Sequence, residues 1–257
     1  MTYTNHKILV TRELTDEHRS LAEGLGMNIL EEPALTIEFR SNWLSVQQAV
    51  NALDSVAFAF TSQNGVKALE QFRKAGVQFP EKTPVYAVGG KTAEALQEIG
   101  FEDVIVPEKQ DGVGLAHQMI DDFLKTPELK EKTVLHFCGD KRRDELRHYL
   151  TESDIDIRDI VVYQTKLNQM NLPGSQVDAI LFYSPSSVQA FRQSGGFRKE
   201  DLPELFAIGH TTAEELSIES GKHVHISPEP DTEIFLRFVA RMLNDNSGEG
   251  GHSPINL

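Results

Sequence analysis

The chain repeats itself, and that repetition narrows what it can fold into more than any other feature. Phe60-Thr-Ser-Gln-Asn-Gly-Val-Lys-Ala-Leu69 returns 122 positions later as Phe182-Tyr-Ser-Pro-Ser-Ser-Val-Gln-Ala-Phe191. Ala87-Val-Gly-Gly-Lys-Thr-Ala-Glu-Ala-Leu96 returns 120 positions later as Ala207-Ile-Gly-His-Thr-Thr-Ala-Glu-Glu-Leu216, with six of ten residues identical. A weaker echo, offset by 126, pairs the strand and helix starting at Ile8 with those starting at Val134. Three near-equal offsets in order argue for a duplicated module of about half the chain. That period is too long for a solenoid, so two similar lobes are expected.

The local pattern says what each lobe contains. Apolar runs at Lys7–Thr11, Ser55–Thr61, Pro84–Val88, Asp103–Val106, Thr133–Phe137, Ile157–Tyr163, Asp178–Tyr183, Leu205–Ile208 and His223–Ile226 read as strands. Amphipathic stretches alternate with them at Asp16–Leu25, Gly65–Ala75, Thr92–Ile99, Val113–Leu124, Arg143–Thr151, Val188–Gln193, Thr212–Ser220 and Thr232–Leu243. Strands alternating with helices imply βαβ units and largely parallel sheets. The expected fold class is α/β: two similar flavodoxin- or Rossmann-like lobes.

Composition excludes several functions. The formal net charge of −14 disfavours nucleic acid as a partner, because such binding rests on a basic face. No apolar run approaches the ~20 residues that span a bilayer, and the N-terminus lacks a signal-peptide layout; a cytoplasmic protein is expected. One cysteine, Cys138, permits no internal disulfide or multi-cysteine metal site. It reads as a small buried hydrophobe without a histidine partner nearby. No histidine spacing marks a metal, so none is expected.

Four strand-to-helix turns share one chemistry: Thr61-Ser62-Gln63-Asn64-Gly65, Gly89-Gly90-Lys91-Thr92, Ser184-Pro185-Ser186-Ser187 and Gly209-His210-Thr211-Thr212. Hydroxyl and amide side chains at a helix entry cap orphan N–H groups, which stabilises by ~1 kcal/mol each. The same helix starts gather at the carboxyl ends of parallel strands, where N–H groups and the helix dipole favour anions. Several such ends would let an acidic protein hold a polycarboxylate without a basic patch. A nucleotide is not indicated. Gly89-Gly90-Lys91-Thr92 ends like a phosphate loop, but the required glycine is Val85, inside a strand.

At these turns and at Val161-Val162-Tyr163-Gln164-Thr165, the sequence resembles the uroporphyrinogen-III synthase family. The resemblance rests on Phe60–Val66, Val162–Thr165, Phe182–Ser186 and Ile208–Ala213, and its order holds from Ile8 to about Leu243. It implies two α/β lobes joined by a two-stranded connector, with a ligand cleft between them. On that pattern residues 1–38 join residues 172–244 in one discontinuous lobe. Residues 39–171 form the other with the connecting strands, and residues 245–257 form a flexible C-terminal tail.

The resemblance also implies a lyase that closes hydroxymethylbilane into uroporphyrinogen III, with inversion of ring D and loss of water. It implies no cofactor; a monomer suits a hinge between the lobes, and transient contact with hydroxymethylbilane synthase stays open. Tyr163 matches the family's candidate proton donor to the departing hydroxyl. Candidate substrate-binding residues are Arg12, Thr61, Ser62, Asn64, Gly89, Thr92, Arg143, Ser184, Ser186, Gly209, Thr211 and Thr212. Arg12 follows a strand in Val-Thr-Arg, and Arg143 opens a helix. Cys138 stands where many relatives carry arginine, and His210 where many carry proline. A different class fits the same turns: a non-catalytic two-lobe sensor that binds a polycarboxylate.

Overall fold

The structure is a computed structural model that describes residues 5–51, 56–80, 82–173, 176–198 and 201–248. Numbered along the chain, the first elements are β1 (His6–Val10), α1 (Asp16–Gly24), β2 (Met27–Glu31), β3 (Leu35–Phe39), α2 (Trp43–Asn51), β4 (Val56–Phe60) and α3 (Gln63–Lys74). They continue with β5 (Val85–Ala87), α4 (Gly90–Glu98), β6 (Val104–Ile105), α5 (Gly112–Lys125), β7 (Thr133–Gly139), α6 (Glu145–Glu152) and β8 (Ile157–Leu167). The last are β9 (Ala179–Phe182), α7 (Pro185–Gln193), β10 (Glu204–Ala207), α8 (His210–Ser220), β11 (His225–Ile226) and α9 (Thr232–Gly248). The chain divides into two compact units. Unit 1 is Met1–Thr36 with Lys166–Leu257, and unit 2 is Ile37–Thr165.

Unit 1 holds a sheet in the order β11-β10-β9-β1-β2, and all its pairings are parallel. Unit 2 holds the order β3-β8-β7-β4-β5-β6, and β8-β7-β4-β5-β6 is parallel throughout. The sequence offsets equate β1 with β7, β4 with β9, β5 with β10 and β6 with β11. With β2 in the place of β8, substituting one set for the other turns the first order into β8-β7-β4-β5-β6 of the second, to which β3 is added at the edge. The register agrees as well: Ile8 lies opposite Ala179, and their counterparts Val134 and Ala57 lie opposite each other. Each unit therefore combines the early part of one repeat with the late part of the other, and the two chain orders are permutations of one sheet.

Both faces of each sheet are buried, which is why the strands read as unbroken apolar runs instead of alternating ones. In unit 2, Phe58 and Phe60 point into a cluster with Leu69, Leu96 and Phe137, while Ala57 and Ala59 face Leu115, Met119 and Leu146. In unit 1, Ile180 and Phe182 face Val188, Phe191 and Leu216, while Ala179 and Leu181 face Phe235, Leu236 and Val239. Among the described residues no helix is long and apolar enough to cross a membrane.

Several boundaries differ from the sequence reading. Helices α3, α4, α7 and α8 begin two or three residues earlier than the apolar periodicity suggests. Ser62, Gly89, Ser184 and Gly209 are thus the N-caps, and Asn64, Ser186 and Thr211 sit in first turns. Helix α9 runs past Asn244 to Gly248, and residues 249–257 lie outside the described ones. Helix α2 is an addition to the sequence reading; it turns Val46 and Val50 inward.

Candidate functional site

In an open parallel sheet, residues that leave the carboxyl ends of neighbouring strands converge above the sheet. In unit 2 they enclose a pocket of about 370 Å³. Its walls include Thr61 and Ser62 after β4, Gly139 at the end of β7, Tyr163 on β8, and the basic run Lys141, Arg142 and Arg143. Four of the sequence candidates thus meet at one place: Thr61, Ser62, Arg143 and Tyr163.

Two glycines make this arrangement fit. A side chain at Gly139 would collide with the Tyr163 ring, so only glycine lets that ring lie across the strand end. A β-bulge at the same point pairs Cys138 with Val161 but Gly139 with Tyr163, which re-aims the tyrosine. At Gly65 a Cβ would lie 2.5 Å from the carbonyl oxygen of Phe137, so α3 can approach β7 only without a side chain there. The Asn-Gly of this turn is required by backbone approach, not by turn conformation.

Beneath the pocket lies a hydrogen-bonded chain that the sequence reading missed. Thr61 Oγ1 is 2.9 Å from His136 Nε2, and His136 Nδ1 is 2.9 Å from Asp159 Oδ1. Arg147 Nε donates to Asp159 Oδ2 at 2.7 Å, and Arg142 approaches the same oxygen at 2.9 Å. The side chains of His136 and Asp159 are 2% and 6% exposed. Burial pushes the Asp159 carboxyl up, but bonds from His136 and Arg147 and the charge on Arg142 outweigh it and hold it below the carboxylate range. Two arginines and a histidine around one acid offset most of the desolvation cost of a buried charge.

Cys138 is beside this chain and buried, and its thiol donates weakly to the Ile160 carbonyl at 3.9 Å. Burial and the Asp159 charge push the thiol up to about 12, against the lowering influence of Arg142 and Arg147. It is held as a thiol. The reading that Cys138 has no histidine neighbour is corrected here. His136 stands two residues before it on β7 and therefore on the same face, and the ligand atoms of His136, Cys138 and Asp159 lie within 4.8 Å of one another. The His136 and Asp159 atoms are engaged by Thr61, the two arginines and each other, and the Cys138 sulfur by the Ile160 carbonyl.

The other unit 2 candidates have simpler surroundings. Ser62 caps α3 by accepting from the Asn64 N–H at 3.1 Å. Gly89 has no side chain to cap α4, and Gln110 reaches in to accept from the Gly90 N–H at 3.0 Å. Thr92 is buried in the first turn of α4, and Arg143 is exposed, just ahead of α6.

Unit 1 presents its candidates at the equivalent strand ends. Ser184 and Ser187 form a reciprocal capping box at the start of α7, with the half-buried Ser186 between them. Gly209 opens α8 without a side-chain cap, Thr211 is exposed and Thr212 is 2% exposed. Arg12 is exposed, lies 5.1 Å above the Tyr183 ring and donates from Nε to the Glu13 carbonyl. Burial pushes the Tyr183 phenol up, against the influence of Arg12. Ser184 and Ser62 cap as well as face a strand end, and neither role excludes the other.

A signal for the missed residues existed. Residues 133–139 are buried without interruption, and His136 is a histidine inside that run. A buried imidazole needs partners on both nitrogens. Asp159 and Arg147 lie on other elements, and only the fold brings them to it.

Comparison with known proteins adds the family. The profile of the family described as uroporphyrinogen-III synthase HemD matches residues 16–236. A uroporphyrinogen-III synthase from Chlorobaculum parvum is 27% identical over 238 residues, covering 86% of this chain and 92% of that one. One from Schizosaccharomyces pombe is 22% identical over 174 residues, covering 65% of each. Among solved structures, uroporphyrinogen-III synthetase from Helicobacter pylori superposes with a TM-score of 0.61 at 20% identity, covering 92% of this chain and 99% of that one. A mutant uroporphyrinogen III synthase from Thermus thermophilus gives 0.59 at 19% identity, with 93% and 99% covered. At such identity the structures speak for a shared fold.

Proposed function

Because the chain belongs to the uroporphyrinogen-III synthase family, we propose that it is a lyase closing hydroxymethylbilane into uroporphyrinogen III, with ring D inverted and water lost. In the chemistry the family resemblance implies, hydroxide departs to leave an azafulvene, and the ring closes through a spiro intermediate. A protein serving that sequence needs no nucleophile. It assists the leaving hydroxyl with a proton, holds the acidic arms, and places the last ring for attack.

The observation that carries the reading is the pocket at the strand ends of unit 2, whose lining brings together a phenol, two hydroxyls and three cationic side chains, with the carboxylates of Asp111 and Glu145 beside them. Tyr163 is the group there suited to donate a proton to the departing hydroxyl. Lys141 and Arg143 suit carboxylates, and the α8 start at Gly209 offers N–H groups of the same use in unit 1. Family membership favours this reading over a non-catalytic polycarboxylate sensor. A cytoplasmic monomer that meets hydroxymethylbilane synthase transiently completes the proposal.

The test supplies hydroxymethylbilane from its synthase, oxidises the products and resolves the isomers. Isomer III is expected, and isomer I alone, the spontaneous product, overturns the reading. Tyr163→Phe and Thr212→Ala are each expected to lower turnover in part, because binding is spread over many groups. Complete loss from Tyr163→Phe with the fold intact contradicts that spread.

A further inference from the structure

We propose that His136, held by Asp159, fixes the Thr61 hydroxyl as a hydrogen-bond acceptor facing the pocket, so that this point takes a pyrrole N–H of the substrate and not one of its carboxylates. The substrate named here rests on the preceding reading; the orientation of the hydroxyl does not.

An ionised carboxylate only accepts, so the Asp159 Oδ1 contact at 2.9 Å requires that His136 Nδ1 carry a proton. The other carboxylate oxygen is engaged by Arg142 and Arg147 at 2.9 and 2.7 Å, so the acid cannot swing away to release the ring. In the neutral imidazole with a proton on Nδ1, Nε2 is a bare acceptor. With the imidazole neutral, Thr61 Oγ1, 2.9 Å from that nitrogen, donates its one proton there. What the oxygen has left for the pocket is lone pairs. A carboxylate oxygen brought to it would meet acceptor against acceptor, whereas an N–H completes the bond.

A linear tetrapyrrole brings both kinds of group, with N–H donors on its rings and carboxylates on its arms. The pocket lining has both kinds of partner: the acceptor at Thr61, and the cations Lys141 and Arg143. His136 acts through Thr61 and is a positioning residue. Unit 1 has no such device, because the positions equivalent to Thr61 and His136 are Tyr183 and Val10.

The test is a double-mutant cycle on hydroxymethylbilane turnover with a spectroscopic readout beside it. Thr61→Val removes the hydroxyl and keeps the shape. His136→Asn keeps an N–H toward Asp159 but removes the group that faces Thr61. Each is expected to lower kcat/KM about 10-fold, near 1.4 kcal/mol. The double variant is expected to be no worse than the poorer single one, and Thr61→Ser to regain most of the loss. A multiplied loss of about 100-fold, or unchanged kcat/KM in Thr61→Val, overturns the proposal. In uniformly 15N-labelled wild-type protein at mildly alkaline pH, His136 should show a protonated Nδ1 and a bare Nε2. A protonated Nε2 overturns it, because Thr61 would then be free to donate. The NMR readout needs no turnover, so it decides the hydroxyl's orientation where His136→Asn fails to fold. It also decides it where the wild type forms no isomer III, an outcome that counts against the functional reading alone.

Discussion

The two units share one sheet and differ in what stands at its carboxyl edge. An arginine on the helix after the first strand reaches an acid on the next strand in both. Arg19 bonds Glu31 through Nε and a terminal nitrogen, at 2.6 and 3.1 Å, and Arg147 bonds Asp159 at 2.7 Å. The separation along the chain is 12 residues each time. In unit 1 Glu31 stands opposite Val10, Arg19 turns also to Asp16, and Tyr183 takes the position equivalent to Thr61. In unit 2 His136 and Thr61 stand in the places of Val10 and Tyr183 and extend the pair into a chain that reaches a pocket. Duplication preserved strand register, which apolar packing enforces. It left the strand-end side chains free to diverge, because they carry little of the core.

The largest difference expected from this comparison is in stability. Asp159→Ala strands two guanidinium groups and a buried imidazole, and should cost about 3–5 kcal/mol in denaturant unfolding. Glu31→Ala, at a pair whose arginine is 42% exposed, should cost below about 1 kcal/mol. Equal losses would break the contrast. Acid sharpens it. Asp159 is held below the usual carboxylate range, so its stabilisation is complete above the unfolded carboxylate's pKa of about 3.9 and is lost progressively as pH falls below it. Asp159→Asn should flatten that part of the stability–pH curve.

The paired turns give the next two effects. Gly65→Ala forces a methyl against the Phe137 carbonyl and should cost about 1–3 kcal/mol in thermal or denaturant melts. The equivalent position in unit 1 is Ser187, whose hydroxyl closes a capping box, and Ser187→Ala should cost about 1 kcal/mol. The smallest effect belongs to Gly209→Ala. Its backbone is extended at φ −169° and nothing lies within 4 Å of an added Cβ, so the melt should move by less than about 0.5 kcal/mol. A large loss there would mean that the α8 start is packed more tightly than its counterparts.

Much of the fold was legible because parallel strands covered on both faces leave long apolar runs. Val56–Phe60 and Ala179–Phe182 are examples, buried at every residue. Helix starts were displaced because N-cap residues and first turns are polar, so periodicity appears only two residues in. Helix α2 was not among the helices read from the sequence; only two of its residues, Val46 and Val50, are buried. At the site, Thr61, Ser62 and Tyr163 were legible from turn chemistry and family resemblance. Thr92 and Thr212, read from the same kind of turn, prove to be buried, because their position in the first turn faces inward. His136 had one local signal, a histidine inside a buried apolar run, whereas nothing local distinguishes the roles of Asp159, Arg142 and Arg147 from those of ordinary polar residues.

The sequence alone determined the duplication, the alternation of strand and helix, and the capped turns at the helix starts. These are written in spacing and apolar pattern, which act over a few residues. Tertiary structure decided that each unit is assembled from parts of both repeats, since strand pairing across more than a hundred residues leaves no local trace. It also decided that a histidine on β7, an acid on β8, and arginines at and ahead of α6 meet behind Thr61. Hydrogen bonding acts over about 3 Å in space and is indifferent to distance along the chain.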